Sequence, residues 1–366
     1  MPQLVRFVLL AALTLVPVVA QTAPDRGLLL ISIDGMRPDY VSAADQHGLK
    51  TPNLRQLFAD GAHAQGVRGV LPTVTYPSHT TIVTGVWPAK HGIPENTTFD
   101  PLGRSLSGWY WYSEDIHVPT LWEAAAKAGY VVGSVSWPVT VGARGISWLV
   151  PEYWRAATEE DLKLMRVIST PGLMKELEPQ VGPYITDLNN AIPGDWARTH
   201  YAEAIIRRKH TRVMTVHLAA LDHIEHASGP FSAESNAALE EIDRMVGTLV
   251  DAMRRETRNA AICIVSDHGF AAIDHQLNIG VPFVKAGFIT LSEDKTPGVK
   301  DWTASPWDAG GLAFARIYRS DSTWTNNTVG TFWRTNFART LTVPGSTASI
   351  TDGTGATATY TLSGST

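Results

Sequence analysis

Residues 71–92, which read LPTVTYPSHTTIVTGVWPAKHG, predict a helix preceded by a threonine-rich loop. Pro77 suits the first turn of this helix and Gly85 suits its end. The hydroxyl of Thr75 would then face the positive end of a helix dipole and its free backbone N–H groups, an arrangement that binds anions. Because a threonine hydroxyl is a weak nucleophile without a base or a metal beside it, the rest of the chain has to supply the activating group.

The composition limits the classes of partner. The chain has 366 residues, 44% of them hydrophobic, and a formal net charge of −5. This charge argues against nucleic-acid binding, nonspecific or sequence-specific, which uses a basic face. A substrate phosphate would therefore be bound by a metal or by local dipoles. Cys263, the single cysteine, lies in an apolar run and is expected to be buried in a strand.

Residues 1–23 have the pattern of a secretory signal peptide. Arg6 precedes an apolar run from Phe7 to Ala20 that is too short for a comfortable membrane span. An uncleaved N-terminal anchor is the alternative interpretation. We therefore exclude these residues from the fold and expect a periplasmic or secreted protein with no transmembrane segment after signal removal.

Three apolar runs lack polar alternation and predict strands buried on both faces of a sheet. The runs and the aspartates that end them are Leu28–Ile33 with Asp34, Arg212–Leu221 with Asp222, and Ala260–Val265 with Asp267. Asp34 alone could simply cap a turn. Because open α/β sheets place their sites at the carboxyl ends of strands, the three aspartates together favour a metal site. His226 can meet the same metal as Asp222 only if the backbone turns or winds the two onto one side.

Helical patterns lie between the strand patterns, which is the βαβ rhythm of a parallel sheet covered by helices. Residues 139–196 have a looser pattern with several prolines and acidic residues. We interpret them as a cap or insertion over the site, with a helix near Glu159–Ile168. The tail from residue 320 is rich in Thr, Ser, Asn and Gly and predicts a polar segment that is β-prone or disordered.

Two features near the predicted helix could contact a substrate. Asn96 lies in a turn-rich loop, where its amide could donate to a phosphoryl oxygen. A simple turn residue or a glycosylation acceptor is the other interpretation of Asn96. The aromatic run Trp109–Tyr112 could stack on a base or line a pocket, although such clusters more often pack beneath a loop.

The chain resembles the alkaline phosphatase superfamily and, within it, the nucleotide pyrophosphatase/phosphodiesterase family. The resemblance runs from about Leu28 to about Ala315. The motifs that carry it are Ile31-Ser32-Ile33-Asp34-Gly35, Pro72-Thr73-Val74-Thr75-Tyr76-Pro77-Ser78-His79, Ile82-Val83-Thr84-Gly85 with His91-Gly92-Ile93, Asp222-x-x-x-His226 with Gly229-Pro230, and Ser266-Asp267-His268-Gly269. It implies an α/β fold with a central, mostly parallel sheet flanked by helices and a catalytic domain over residues 24–319. The tail over residues 320–366 departs from the family pattern.

The resemblance also implies a site with two zinc ions. The implied ligands are Asp34, Asp267, His268 and the nucleophile Thr75 for one ion, and Asp222, His226 and a later histidine for the other. Asn96 matches the phosphoryl-binding asparagine of the family, and Tyr76 matches an aromatic residue of its substrate pocket. The implied reaction is hydrolysis of a phosphodiester or pyrophosphate bond in a small, nucleotide-type substrate through a phosphothreonine intermediate.

Two departures from the family pattern affect the second zinc position. Glu225 stands where many relatives have glycine and could crowd the metal or bind it. No histidine follows His275, and His275 lies too close to residues 266–268 to be the family's last ligand. Asp308 or Glu225 could substitute for it.

Two alternative functions stay open. One is a phosphomonoesterase or phosphonate hydrolase of the same superfamily. The other is an inactive or truncated relative that lacks the last ligand. A sulfatase is disfavoured, because Thr75 and the residues after it lack the pattern of a modified cysteine or serine followed by proline and arginine.

Overall fold

The computed structural model describes the chain from residue 26 onward, with gaps. The described residues are 26–104, 108–153, 158–185, 191–273 and 278–310, with the backbone segments 312–317, 330–332, 340–342, 347–351 and 357–361. The expected signal peptide and His275 lie outside them. Within the described part of the chain, no helix has both the length and the apolar character needed to cross a membrane.

Five parallel strands form the central sheet. They are β1 (Gly27–Ile33), β2 (Val132–Val135), β3 (Trp148–Val150), β4 (Val213–Leu218) and β5 (Ala260–Val265). Their order across the sheet is β3-β2-β4-β1-β5. Because β1 pairs in parallel with both β4 and β5, the carboxyl ends of these three strands lie side by side. The predicted α/β class with a mostly parallel sheet is confirmed.

Helices connect and cover the strands. They are α1 (Asp39–Ser42), α2 (Pro52–Asp60), α3 (Thr75–Thr84), α4 (Pro88–His91), α5 (Leu121–Lys127), α6 (Glu159–Ile168), α7 (Leu173–Val181), α8 (Ala191–Lys209), α9 (Ala220–Ser228), α10 (Ala233–Glu256) and α11 (Gly280–Lys285). The predicted helix of residues 71–92 is α3. It begins at Thr75, and Gly85 ends it with a left-handed φ of 70°.

Both faces of the central sheet are packed, as its apolar strands require. Leu29, Ile31 and Ile33 of β1 face a large core formed with α8 and α10, whereas Leu30 faces a smaller core on the other side with Trp122 of α5. Each of these buried aliphatic side chains contributes roughly 1.5–3 kcal/mol by leaving water. The cores therefore fix β1 and the aspartate that follows it.

After the sheet, the chain continues in short antiparallel strands. They are β6 (Ile289–Leu291), β7 (Val299–Trp302), β8 (Ala304–Ala309), β9 (Leu312–Ile317), β10 (Gly330–Phe332), β11 (Thr340–Thr342), β12 (Thr347–Thr351) and β13 (Thr357–Thr361). β6 pairs with β7, β8–β10 form one small sheet, and β11–β13 form another. The described part of the tail therefore has the β structure that its composition favours.

Three details of the prediction were wrong. β4 ends at Leu218 rather than Leu221, because the chain turns at once into α9, so Asp222 lies on a helix and not at a strand end. β5 is an edge strand, and its side chains, Cys263 included, are only partly buried because no described strand covers its outer edge. β3 belongs to the central sheet although it lies within residues 139–196, so that segment is not entirely a cap.

Candidate active site

Three predicted metal ligands meet where β1 and β5 end. Asp34 directly follows β1, Asp267 comes two residues after β5, and His268 is next to it. The Nε2 atom of His268 lies 3.4 Å from Asp34 Oδ1 and 3.4 Å from Asp267 Oδ2. One ligand atom from each residue lies within 4.8 Å of the other two. We refer to Asp34, Asp267 and His268 as the first ligand cluster.

The first ligand cluster has the donor chemistry of a divalent-metal site. Asp34 Oδ1 and Asp267 Oδ2 are buried without a hydrogen-bond partner, and they are the two oxygens that face His268. Leaving carboxylate oxygens buried and unpaired is costly. A divalent cation would satisfy both oxygens and the imidazole, and two carboxylates with one imidazole form a ligand set that zinc accepts. The residues present therefore fit the metal that the resemblance implies.

The electrostatics of the cluster agree with this assignment. Burial and the neighbouring charges of Asp267 and Asp222 raise the pKa of Asp34 well above its ordinary value. Burial lowers the pKa of His268, but the three nearby carboxylates outweigh it and raise the pKa to about 9. The metal-free cluster thus holds a proton at His268 that a cation has to displace.

Buried groups orient the two carboxylates. Asp34 Oδ2 lies 3.0 Å from His217 Nε2, and Asp267 Oδ1 accepts the backbone N–H of Gly35 at 3.3 Å. Gly35 has φ +76° and a Cβ there would lie 2.9 Å from Glu225 Oε2, so the turn after Asp34 needs glycine. Such outer-shell partners set the direction of metal ligands.

Thr75 is the first residue of α3, and a second buried histidine holds its backbone. His79 Nδ1 lies 2.8 Å from the Thr75 carbonyl oxygen and 3.6 Å from Asp267 Oδ2, and its Nε2 lies 2.8 Å from Ser32 Oγ. Burial and the charge of His217 lower the pKa of His79 to about 4, so the ring is neutral at pH 7. A neutral ring that donates from Nδ1 to Thr75 keeps the start of α3 beside the first ligand cluster.

Asn96 also lies at the start of α3. Its Oδ1 accepts the backbone N–H of Tyr76 at 2.8 Å. The amide group of Asn96 is therefore anchored by its oxygen, with its nitrogen as the donor end. This is the placement that a phosphoryl-binding role needs, and the role itself stays a prediction.

Tyr76 is fully buried, which limits what its ring can contact. It packs edge-to-face on Trp109 with ring centroids 5.2 Å apart, and its hydroxyl donates to Glu152 Oε1 at 2.9 Å. Trp111 packs in the same apolar cluster. The aromatic run thus packs around Tyr76, and the predicted contact of Tyr76 with substrate stays a prediction.

Asp222 and His226 form a second, less complete cluster on α9. The helix winds them onto one side, with Asp222 Oδ1 and His226 Nε2 3.5 Å apart. The His226 side chain is 69% exposed. Among the described residues, the one group of three His, Cys, Asp or Glu side chains that could hold a metal is the first ligand cluster, so no third residue of these types completes a group with Asp222 and His226. We refer to this pair as the second ligand cluster.

Neither proposed substitute ligand occupies the second cluster. Glu225 is buried, and its Oε1 accepts the hydroxyl of Tyr40 at 2.6 Å. Burial, together with the charge of Asp222, raises the pKa of Glu225 to about 7, and the bond from Tyr40 opposes this shift. Asp308 is exposed, and its charge raises the pKa of Glu95. The clusters are linked instead by His268 Nε2, which lies 3.8 Å from Asp222 Oδ1.

Sequence reasoning missed His217 and Glu152. His217 interrupts an otherwise apolar strand one residue before its end, and a buried histidine there needs a partner, so a signal existed. Glu152 had no such signal, because it lies in the segment interpreted as a cap. His79 was quoted within a motif but was given no role.

Comparisons with known proteins show what the chain is similar to. The profile of the family described as type I phosphodiesterase / nucleotide pyrophosphatase matches residues 28–331. Human ectonucleotide pyrophosphatase/phosphodiesterase family member 1 is 27% identical over 252 residues, which are 66% of this chain and 23% of that protein. Venom phosphodiesterase 2 of Crotalus adamanteus is 28% identical over 255 residues, 67% of this chain and 27% of the relative. The chain thus spans about a quarter of the length of these relatives.

A solved structure shares the fold. The inactive form of murine ectonucleotide pyrophosphatase/phosphodiesterase 5 in complex with AMP superposes with a TM-score of 0.52 at 19% identity, over 81% of this chain and 67% of that one. This likeness confirms the expected fold. Because the family profile covers most of the chain, the protein belongs to the type I phosphodiesterase / nucleotide pyrophosphatase family.

Proposed function

We propose that this protein is a zinc-dependent hydrolase of phosphodiester or pyrophosphate bonds in nucleotide-type substrates, with Thr75 as its nucleophile. One observation carries the proposal. The three ligand atoms of the first ligand cluster converge beside the start of α3, where His79 holds the backbone of Thr75 against Ser32 and near Asp267. The two zinc ions expected from the resemblance would be held by the first and second ligand clusters.

The residues of this chain supply positioning and charge. Bound zinc would act as a Lewis acid that lowers the pKa of a coordinated hydroxyl. The Thr75 oxygen forms a bond to phosphorus as the bond to the leaving group breaks, which gives phosphothreonine, and water then cleaves this ester. The amide nitrogen of Asn96, whose oxygen is held by the N–H of Tyr76, stabilises a non-bridging oxygen.

The substrate class rests on the relatives. The names of the matched proteins describe nucleotide pyrophosphatases and phosphodiesterases, and the murine structure is a complex with AMP. We extend a nucleotide-type substrate to this chain on that basis. A periplasmic or secreted location follows from the pattern of residues 1–23, and venom and ectonucleotide relatives support it.

A second candidate function has one observation in its favour. The second ligand cluster has two ligands and an exposed His226, so this chain could be an inactive relative that binds a single zinc ion tightly. Zinc content measured on the purified protein separates the two candidates: two ions per chain support the hydrolase, and one or none supports the inactive relative.

Hydrolysis of a p-nitrophenyl phosphodiester with added zinc tests the role of Thr75. Thr75→Ala is expected to lose about 10³-fold or more in rate, because removing a nucleophile that acts with its activating groups removes most of their joint effect. Thr84→Ala is the matched control, since Thr84 ends the same helix and its hydroxyl donates to the backbone carbonyl of Thr80 at 2.7 Å. Equal rates for Thr75→Ala and the wild type would exclude Thr75 as the nucleophile. A higher rate on the monoester would favour a phosphomonoesterase.

A further inference from the structure

A continuous line of buried hydrogen bonds joins a metal ligand to the helix that carries the nucleophile. His217 Nε2 lies 3.0 Å from Asp34 Oδ2, and His217 Nδ1 lies 2.8 Å from Glu152 Oε2. The other oxygen of Glu152 accepts the hydroxyl of Tyr76 at 2.9 Å. We refer to Tyr76, Glu152 and His217 as the buried relay. All three are at most 6% exposed.

The relay connects elements that are far apart in the sequence. Tyr76 is on α3, Glu152 follows β3, and His217 is on β4. Burying a carboxylate and an imidazole costs free energy unless both are well paired, and here each has a partner at both ends. Both nitrogens of His217 face carboxylates, so a ring that carries two protons donates in both directions.

The relay contacts a metal ligand at one end and includes the residue next to Thr75 at the other. His217 holds Asp34 Oδ2, which leaves Asp34 Oδ1 facing His268. Tyr76 directly follows Thr75, so its anchored hydroxyl restrains the first turn of α3. A displacement at either end would change the distance between the nucleophile and the first ligand cluster.

We propose that His217 and Glu152 are positioning residues that fix Asp34 and the start of α3 relative to each other. The importance of this positioning for catalysis rests on the proposed function. The inference itself predicts a coupling, in which loss of the Tyr76 hydroxyl lowers the affinity of the protein for zinc. That coupling can be measured with zinc alone, without turnover. Outer-shell partners of metal ligands change metal affinity by about 10- to 100-fold.

Two substitutions of His217 separate its two bonds. The amide nitrogen of Asn replaces Nδ1, so His217→Asn keeps a donor to Glu152 and loses the donor to Asp34. The amide of Gln replaces Nε2, so His217→Gln keeps the donor to Asp34 and loses the one to Glu152. Zinc affinity, measured by competition with a fluorescent chelator, is expected to fall about tenfold in His217→Asn. In His217→Gln it is expected to fall only about two- to fivefold, because the link to Glu152 and Tyr76 is broken but the donor to Asp34 is kept.

The far end of the relay gives the decisive measurement. Tyr76→Phe removes the hydroxyl that donates to Glu152 and leaves the aromatic ring in place. It is expected to weaken zinc binding roughly two- to fivefold in the wild-type background and not at all in the His217→Gln background, where the connection is already broken. An unchanged zinc affinity in Tyr76→Phe, or the same loss in both backgrounds, would overturn the coupling.

A matched control is available on the same strand. The hydroxyl of Thr215 donates to Ser134 Oγ at 2.8 Å, and both residues are buried. Thr215 lies on β4, two residues before His217, and Ser134 lies on β2. Thr215→Val therefore removes a buried hydrogen bond without touching a metal ligand. Zinc affinity equal to that of the wild type is expected. A loss as large as that in His217→Asn would show general destabilisation and would overturn the positioning role.

The failure of this inference differs from the failure of the proposed function. If Thr75→Ala hydrolyses as fast as the wild type, the proposed function is wrong, yet the zinc coupling can still be observed. If zinc affinity is unchanged in the His217 and Tyr76 variants while Thr75→Ala is inactive, only the inference is wrong. Circular dichroism of each metal-free variant checks folding, and Tyr76→Phe carries the test if His217→Asn does not fold.

Discussion

The two ligand clusters of this protein are built in different ways. Asp34 and Asp267 of the first cluster follow strands of the central sheet, are almost fully buried and are oriented by His217, His79 and the N–H of Gly35. Asp222 and His226 of the second cluster lie on one helix, and His226 is mostly exposed. A buried, oriented ligand set loses little entropy on binding a metal, whereas an exposed imidazole has to be ordered first. We therefore expect the two clusters to differ in zinc affinity.

The largest effect is expected at the first cluster. Asp267→Asn removes a charged ligand at nearly constant volume, so zinc affinity should fall by at least about 100-fold and hydrolysis by about 10³-fold. Chelator competition and turnover of the phosphodiester measure the two losses. Unchanged zinc binding in Asp267→Asn would contradict the expected difference in zinc affinity between the two clusters, because the tight site would then lie elsewhere.

The pH dependence of zinc binding should show the proton on His268. Its pKa is raised from 6.5 to about 9, so zinc has to displace this proton at every pH below about 9. Affinity at the first cluster should therefore rise by about tenfold per pH unit from 6.5 to 9 and then level off. By the same linkage, the charged His268 stabilises the metal-free fold fully below pH 6.5, and this contribution is lost as the pH rises through about 9. A flat affinity across this range would contradict the assigned charge.

A smaller effect is expected at the second cluster. His226→Ala should weaken the second zinc ion by about tenfold and leave the first almost unchanged, because the exposed imidazole is not part of the buried ligand set. Zinc titration followed by calorimetry resolves the two steps. His223→Ala is the matched control, since His223 is on the same helix one residue from Asp222. If His226→Ala instead removes both ions, the two clusters act as one site.

The smallest effect is expected at His91, which lies outside both clusters, and it concerns the pH dependence of thermal unfolding. Burial lowers the pKa of His91 from 6.5 to about 4, and its Nδ1 accepts the N–H of Ile93 at 3.2 Å. The neutral ring contributes fully above pH 6.5, and this stability, about 1–3 kcal/mol, is lost as the pH falls toward 4. His91→Asn keeps an acceptor for Ile93 and should flatten the thermal unfolding profile between pH 4 and 6.5. A profile as steep as that of the wild type would exclude His91 as the cause.

The sequence predicted the sheet and the first cluster because both depend on local patterns. The apolar runs ending near Asp34 and Asp267 are strands, and parallel strands bring their carboxyl ends together. The same rule misplaced Asp222. Apart from Thr215 and His217, apolar residues continue from β4 into α9, and hydrophobicity alone does not mark where the strand ends and the helix begins.

The amino-acid sequence by itself determined the family, the α/β class and which aspartates and histidines are available for a metal, because periodicity and motif spacing are written along the chain. Only the tertiary structure decided that Glu225 bonds to Tyr40, that Tyr76 is buried, and that Glu152 and His217 connect Asp34 to α3. These contacts join residues 65 to 185 positions apart. Their existence depends on how strands and helices pack, which no local pattern encodes.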